Sequence, residues 1–418
     1  MINKDVIYVP EADIQRALKT RPTPFFIYEE KRLRDNCVRF RDTFKKHFPT
    51  FKPLYAVKAN TNPTLLKIIF SEGFGADASS EPEAWIAIKL GADGMYTGNH
   101  TTLAELKEIS SLGNLLLNLD DISLLDSLKR VGVPEFLSFR INPGVSQGGM
   151  KSLLLAGPDA KYGVPPWDVH EAYIRAKEMG VKRFGMHMMT GSNVLDENYF
   201  PIVTDKLLEI AGDLYEKTGI QMDMLNIGGG FGMPYRPEEK SLDLKKIAKS
   251  IRDVFDKRLK KHKMPEPVLM AEPGRMIAAD TGWLVAKVHV VKKSYKTFAG
   301  VDAGMNDLPR PAIYGAYHHI TALNKPKSAG LKKTNVVGRL CEHNDQFAID
   351  RLLPELEPGD VIAIHNAGAH SYAMGHNYNN RLRSAEYLIG KSGRITKIRR
   401  AETMEDLFAT TSIMSKGK

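Results

Sequence analysis

The stretch PLYAVKANTNP, residues 53–63, sets Lys58 directly after the apolar run Leu54–Val57 and before Ala-Asn, where a buried strand opens into a loop. An ammonium in that position is either desolvated or paired, and a desolvated lysine is a nucleophile. The plainer alternative is a side chain that snorkels past the strand end into water. Other segments also carry reactive groups. In NIGGGFG, residues 226–232, Gly228–Gly230 let backbone N–H groups approach an anion without Cβ obstruction, although packing or a tight turn explains them equally well. In EPGR, residues 272–275, Glu272 and Arg275 flank a Pro-Gly turn, and by itself Glu272 reads as a surface acid. RLCEHND, residues 339–345, holds Cys341 beside Glu342; a lone cysteine is more often a small buried hydrophobe than a reactive thiol.

The elements that must position these residues alternate from about residue 54 onward. Short apolar runs at Leu54–Val57, Phe74–Ala78, Met95–Thr97, Leu115–Leu119, Phe136–Ile141, Phe184–Met189, Met224–Ile227 and Pro267–Ala271 are separated by amphipathic stretches such as TNPTLLKIIFSEG and FPIVTDKLLEIAGDLYEKTG. Eight strands alternating with helices predict an α/β fold, a TIM (β/α)8 barrel. After about residue 284 the runs WLVAKVHVVKKSY, KTFAGVDAG, TNVVGRLCE, DVIAIHNAG and RITKIRR predict a C-terminal β-domain. We divide the chain into a barrel at 32–284 and a β-domain at 285–418, grouped with 1–31, whose assignment the pattern leaves open. In a barrel the chemistry sits at the C-terminal strand ends. Lys58 ends the first predicted strand, HMMTGSN the sixth, GGGFG the seventh and EPGR the eighth.

Bulk properties narrow the function classes. The 418 residues are 43% hydrophobic and 26% charged, an ordinary globular balance with room for two domains. No apolar stretch approaches the roughly 18 residues of a membrane span, and the N-terminus lacks a signal-peptide apolar region, so a cytoplasmic protein without membrane contact is expected. Two distant cysteines, Cys37 and Cys341, suit a reducing compartment and offer no metal-ligand spacing. The net charge of +10 concentrates in KSLDLKKIAKSIRDVFDKRLKKHK, where Leu244, Ile247, Ile251, Phe255 and Leu259 recur at helical spacing. The lysines then form a solvated face, and the absence of interleaved aromatics argues against nucleic-acid binding. GGGFGMP has methionine where G-x-G-x-x-G needs its last glycine, which disfavours a dinucleotide fold.

Taken together, YAVKAN, RINPG, GSN, NIGGGFG, EPGR, DAGMNDLPRPAIYGAYHHI, CEHND and NYNNRLRSAEYL resemble the barrel-fold pyridoxal-phosphate decarboxylases, and among them the diaminopimelate decarboxylases. The resemblance runs over nearly the whole chain in the family's order. It implies a homodimer with shared active sites and pyridoxal 5'-phosphate as cofactor, carried on Lys58 as a Schiff base. It implies that Glu272 bonds the pyridine nitrogen and that Ser192, Gly229, Gly230 and Arg275 cradle the phosphate. Arg140, Met189, His370 and Tyr378 match positions near the cofactor. Read without the resemblance, Ser192 is a cap and Arg140 an ion-pair member. Arg310 and Tyr314, with Arg275, match the grip on the substrate's distal carboxylate, although Arg310 by itself reads as a surface residue. Glu342 matches the acceptor for the distal ammonium and Cys341 the proton donor, both supplied across the dimer interface. The implied reaction is decarboxylation of meso-2,6-diaminopimelate to L-lysine, with a small amino acid as substrate and no metal.

The sequence departs from the family pattern in places. HMMTGS puts Met189 where the pattern has a histidine stacked on the cofactor, AGAH puts His370 where tyrosine is usual, and NRLRS replaces a proline-rich RPRP. Two rivals remain at this stage: a related decarboxylase acting on ornithine, arginine or a carboxylated polyamine, and a non-catalytic cofactor-binding protein. Arg310 and Tyr314 argue against the first, and retention of Lys58 and Cys341 against the second.

Overall fold

The computed structural model describes residues 2–144, 155–326 and 328–412. The chain forms two units, one of Arg34–Met233 with Ser241–Met276, the other of Met1–Leu33, Pro234–Lys240 and Ile277–Lys418. Numbered along the chain, β1 (Phe25–Glu29) belongs to the second unit. Strands β2 (Lys52–Ala56), β3 (Gly75–Ala78), β4 (Gly94–Tyr96), β5 (Leu115–Leu119), β6 (Phe136–Ile141), β7 (Arg183–Met188), β8 (Met224–Asn226) and β9 (Val268–Ala271) form a closed parallel barrel. Closure comes from β9 pairing back onto β2, Lys52 opposite Met270 and Pro53 opposite Ala271.

Each predicted barrel strand is present, two with the expected bounds and the others shifted by no more than two residues at an end. Local chemistry starts the intervening helices. Asn62 caps Pro63–Ser71 through the Thr64 N–H, Ser80 caps Glu81–Lys89, and Thr102 with Glu105 forms a reciprocal capping box on Leu103–Leu112. The lysine-rich helix Leu244–His262 buries Leu244, Ile247, Ile251 and Phe255, as its period requires. Several of its cations pair with acids of the unit: Lys246 with Glu197 at 2.9 Å, Arg258 with Asp205 at 2.6 Å and Lys261 with Glu209 at 2.9 Å.

The barrel interior is layered. Leu54, Met95 and Met224 pack with Leu116, Phe136 and Met270 as an apolar floor. Side chains two residues apart on a strand share a face. The next inward residues toward the C-terminal ends are therefore Ala56, Thr97, Asn118, Ser138, Asn226 and Glu272. Five of those six are polar, so the barrel changes from an apolar floor to a polar ring within one pleat.

The other unit is built on a nine-stranded sheet. Its strands are β1, β10 (Gly282–Lys293), β11 (Thr297–Val301), β12 (Ile320–Ala322), β13 (Leu331–Val337), β14 (Gln346–Pro354), β15 (Val361–Ile364), β16 (Ala385–Ile389) and β17 (Ile395–Arg399). Their order is β14-β13-β11-β10-β1-β16-β17, with β15 pairing β10 and β12. Strand β1 lies antiparallel to β10 and parallel to β16, with Phe25 opposite both Val285 and Ala385. Phe25, Ile27, Trp283, Val285, Ala363 and Tyr387 belong to its core. The architecture is the expected one, a TIM barrel and a β-domain. Among the described residues no helix is long and apolar enough to cross a membrane.

Candidate active site

Strand β2 ends in the 3-10 turn Val57–Ala59, which places Lys58 at the C-terminal end of the barrel. Its Nζ lies 2.8 Å from Asp77 Oδ2 and 3.1 Å from Ser79 Oγ. The Lys58 side chain is 46% exposed and that of Asp77 only 1%. Burial among protein atoms favours the neutral amine. The charges of Asp77 and Glu272, the hydrogen bond to Asp77 and the charge of Glu83 outweigh it and hold the ammonium above the usual lysine range. Of the two environments open to Lys58, the paired one is realised.

Glu272 follows β9 and is buried, not a surface acid. Its backbone N–H donates to Gly228 O at 2.8 Å. Asn226 Nδ2 donates to Glu272 Oε1 at 2.6 Å, and His187 Nε2 lies 3.4 Å from the same oxygen. Burial works to raise the Glu272 pKa, but His187, Lys58 and the Asn226 amide reverse it and lower the group below its ordinary value. Asp77 moves the opposite way: burial and the Glu272 charge raise it against the pull of Lys58. Two buried carboxylates beside one amine thus differ in proton affinity because their partners differ.

Around this centre, Arg140 lies next to the last residue of β6, is buried, and donates from Nη2 to Leu155 O at 3.1 Å and Met189 O at 3.5 Å. Its guanidinium lies 4.3 Å from the Tyr162 ring centroid, and burial lowers its pKa. Met189 Sδ accepts the Gly229 N–H at 3.1 Å. The segment after β7 and the glycine run after β8 zip together through Val194 N to Gly230 O at 2.9 Å and Gly232 N to Val194 O at 3.0 Å. A Cβ at Gly230, where φ is +85°, would sit 2.8 Å from Gly191 O, so this approach requires glycine. Ser192 is half-buried in that segment, and Arg275 is buried at the start of the short helix Arg275–Ala278.

The β-domain unit holds a second group. Arg310 is 2% exposed, contrary to its plain reading as a surface residue. Arg310 Nη1 donates to His318 Nε2 at 2.9 Å, His318 Nδ1 donates to His365 O at 2.8 Å, and the guanidinium lies 4.7 Å from the Tyr235 ring centroid. Tyr314 ends the same short helix, Arg310–Tyr314, half-buried. Cys341 and Glu342 lie exposed between β13 and β14. The Cys341 N–H donates to Asn379 Oδ1 at 2.6 Å, which ties this loop to the Tyr378–Asn380 turn. Asp345 accepts the Leu340 N–H at 2.7 Å and the Met305 N–H at 2.6 Å. His370, at φ 55°, is half-buried and Tyr378 is exposed. Among the described residues no group of three or more His, Cys, Asp or Glu is placed to hold a metal.

Residues 34–279 match the family model described as "Pyridoxal-dependent decarboxylase, pyridoxal binding domain". The chain belongs to this family of pyridoxal-dependent decarboxylases. Diaminopimelate decarboxylase of Methanothermobacter thermautotrophicus is 38% identical over 411 residues, 97% of this chain and 95% of that one. Protein TabA of Pseudomonas amygdali pv. tabaci is 36% identical over 400 residues, 93% of this chain and 90% of that one. The structure of diaminopimelate decarboxylase from Helicobacter pylori complexed with L-lysine superposes with a TM-score of 0.86 at 30% identity, covering 95% of this chain and 98% of that one.

Several residues that the structure places beside Lys58, Glu272 or Arg310 escaped the sequence reading. Asp77 lies inside GADA, and an acid among small buried residues at a strand end is the signal that would have marked it. Asn226 and His187 stand in NIGGGFG and HMMTGS, next to residues that drew attention for other reasons. Asn118 and His318 carry no local signal, because only the assembled units show what they touch.

Proposed function

We propose that this chain catalyses the pyridoxal-phosphate-dependent decarboxylation of meso-2,6-diaminopimelate to L-lysine and carbon dioxide. The observation that carries the reading is Lys58 at the barrel mouth with Glu272 buried and ionised nearby, in a chain similar end to end to diaminopimelate decarboxylases. The residues present suit the cofactor. Lys58 supplies a primary amine for its aldehyde, Glu272 a carboxylate for its ring nitrogen, and the glycine run open backbone for its phosphate. Asp77 Oδ1 is a buried oxygen without a protein hydrogen bond, which also marks an interior made for a polar ligand.

When bound, pyridoxal phosphate supplies the electron sink for the breaking C–C bond. Lys58 carries the cofactor, and Glu272 keeps negative charge beside its ring nitrogen. Ser192, Gly229, Gly230 and Arg275 receive the phosphate, with Arg140, Met189, His370 and Tyr378 around the cofactor. Arg310, Tyr314 and Arg275 take the substrate's distal carboxylate, and Glu342 takes its distal ammonium. Cys341 Sγ delivers the proton that replaces the lost carboxylate. The enzyme works as a homodimer in the cytoplasm, each site borrowing Cys341 and Glu342 from the neighbouring subunit; the exposure of both residues supports this.

The test is carbon dioxide release from a panel of amino acids with added pyridoxal phosphate. Diaminopimelate should be preferred over lysine, ornithine and arginine; a preference for any substrate lacking the distal carboxylate overturns the reading. Borohydride reduction and peptide mapping should label Lys58, and label on another lysine removes its assignment.

A further inference from the structure

Buried polar residues on or just beyond five barrel strands lie in contact in one row, Thr97, Asn118, His187, Glu272 and Asn226, that the reaction does not use in full. Asn118 Nδ2 lies 3.2 Å from Thr97 Oγ1 and 3.0 Å from His187 Nδ1, so both hydrogens of its amide are committed. An imidazole that accepts at Nδ1 carries its proton on Nε2. His187 Nε2 faces Glu272 Oε1 at 3.4 Å, where Asn226 Nδ2 already donates at 2.6 Å. One oxygen of Glu272 thereby accepts the Asn226 amide and has His187 Nε2 as its second nitrogen neighbour. Among the described residues no hydrogen-bond donor is placed on the other, Oε2.

We propose that Asn118 is a positioning residue that holds His187 as the neutral Nε2–H tautomer, so that Glu272 Oε1 is held by Asn226 with the His187 N–H turned toward it and Oε2 is presented to the ligand. The tautomer stands by itself; the role of Oε2 rests on the pyridoxal-phosphate reading above. A neutral ring matters because an imidazolium in this position would share the carboxylate's charge. A neutral N–H orients Glu272 and leaves that charge for a protonated ring nitrogen. The donor of Asn118 at Nδ1 leaves no room for the second proton.

The test uses the cofactor-free protein with 15N-labelled histidine, the His187 signals being assigned by their loss in His187→Gln. At neutral pH, NMR should show one protonated ring nitrogen, Nε2. Protonation of both nitrogens, or of Nδ1 alone, overturns the proposal. Asn118→Asp presents acceptors to both neighbours at nearly the same volume, and should convert His187 to the doubly protonated form; an unchanged ring overturns Asn118 as the cause. The same variant should bind pyridoxal phosphate roughly tenfold more weakly. Unchanged cofactor affinity removes the assignment of Oε2 while the tautomer stands. Failure of the wild-type protein to bind pyridoxal phosphate at all overturns the functional reading instead.

Discussion

The Lys58 ammonium and the buried Asp77 carboxylate form a 2.8 Å ion pair across adjacent strand ends of the barrel, and this pair keeps the amine charged. The amine must lose its proton before it can attack an aldehyde. Burial alone would lower the lysine pKa, and Asp77 is the largest opposing influence. Asp77→Asn should therefore shift the pH midpoint for cofactor capture downward, read as the rate of absorbance change on mixing with pyridoxal phosphate. A midpoint that stays put or moves up contradicts this balance of charges.

Arg310 is fixed from two sides, by His318 and by the Tyr235 ring. If it holds the distal carboxylate, truncation leaves a substrate charge unpaired, a loss on the order of 2–5 kcal/mol. Arg310→Ala should lower kcat/KM for diaminopimelate roughly a hundredfold or more, with cofactor absorbance retained. Wild-type activity in that variant removes Arg310 from the substrate site.

Shared sites are tested by complementation. Lys58→Ala and Cys341→Ala chains, each inactive, are mixed under conditions where subunit exchange is demonstrated by mass. Part of the activity should return, since one site of each mixed dimer is intact. No recovery places Cys341 and Lys58 of one chain in the same site.

The Cys341 loop is held by Asp345, whose carboxylate accepts the Leu340 and Met305 N–H groups. Gly338 is part of the same device, since a Cβ there would lie 2.2 Å from Asp345 Oδ2. A hydrogen bond to a charged group contributes about 1.5–3 kcal/mol. Asp345→Asn should speed amide exchange at Leu340 and Met305 and lower kcat about tenfold with cofactor affinity unchanged. Unaltered exchange and turnover would falsify the positioning role.

Burial lowers His365 from 6.5 to about 3 and His319 to about 4, with the neighbouring His319 and Arg351 charges acting in the same direction. Between those values and pH 6.5 the unfolded chain binds more protons than the folded one. Stability is therefore full above pH 6.5 and falls on acidification toward pH 4, by roughly 3 kcal/mol from His365. Urea unfolding across that range should show the decline, and His365→Gln should flatten it. An equal slope in the variant assigns the acid sensitivity elsewhere.

What the sequence by itself determined follows from short-range order. Short apolar runs alternating with amphipathic stretches, and the loop residues that end those runs, are written within a few residues. They sufficed for the barrel, for the β-domain and for Lys58, Glu272 and the glycine run at strand ends. Long-range convergence was decided only by the tertiary structure. Thr97, Asn118, His187, Asn226 and Glu272 lie on or just after five different strands, and only closure of the barrel makes them neighbours. Arg310 could be known as buried only after His318 and Tyr235 had packed around it. The charge of Lys58 was beyond the sequence for the same reason. A pKa depends on the balance between desolvation and charges a few ångströms away, and Asp77 and Glu272 reach those distances through strand pairing that no local pattern encodes.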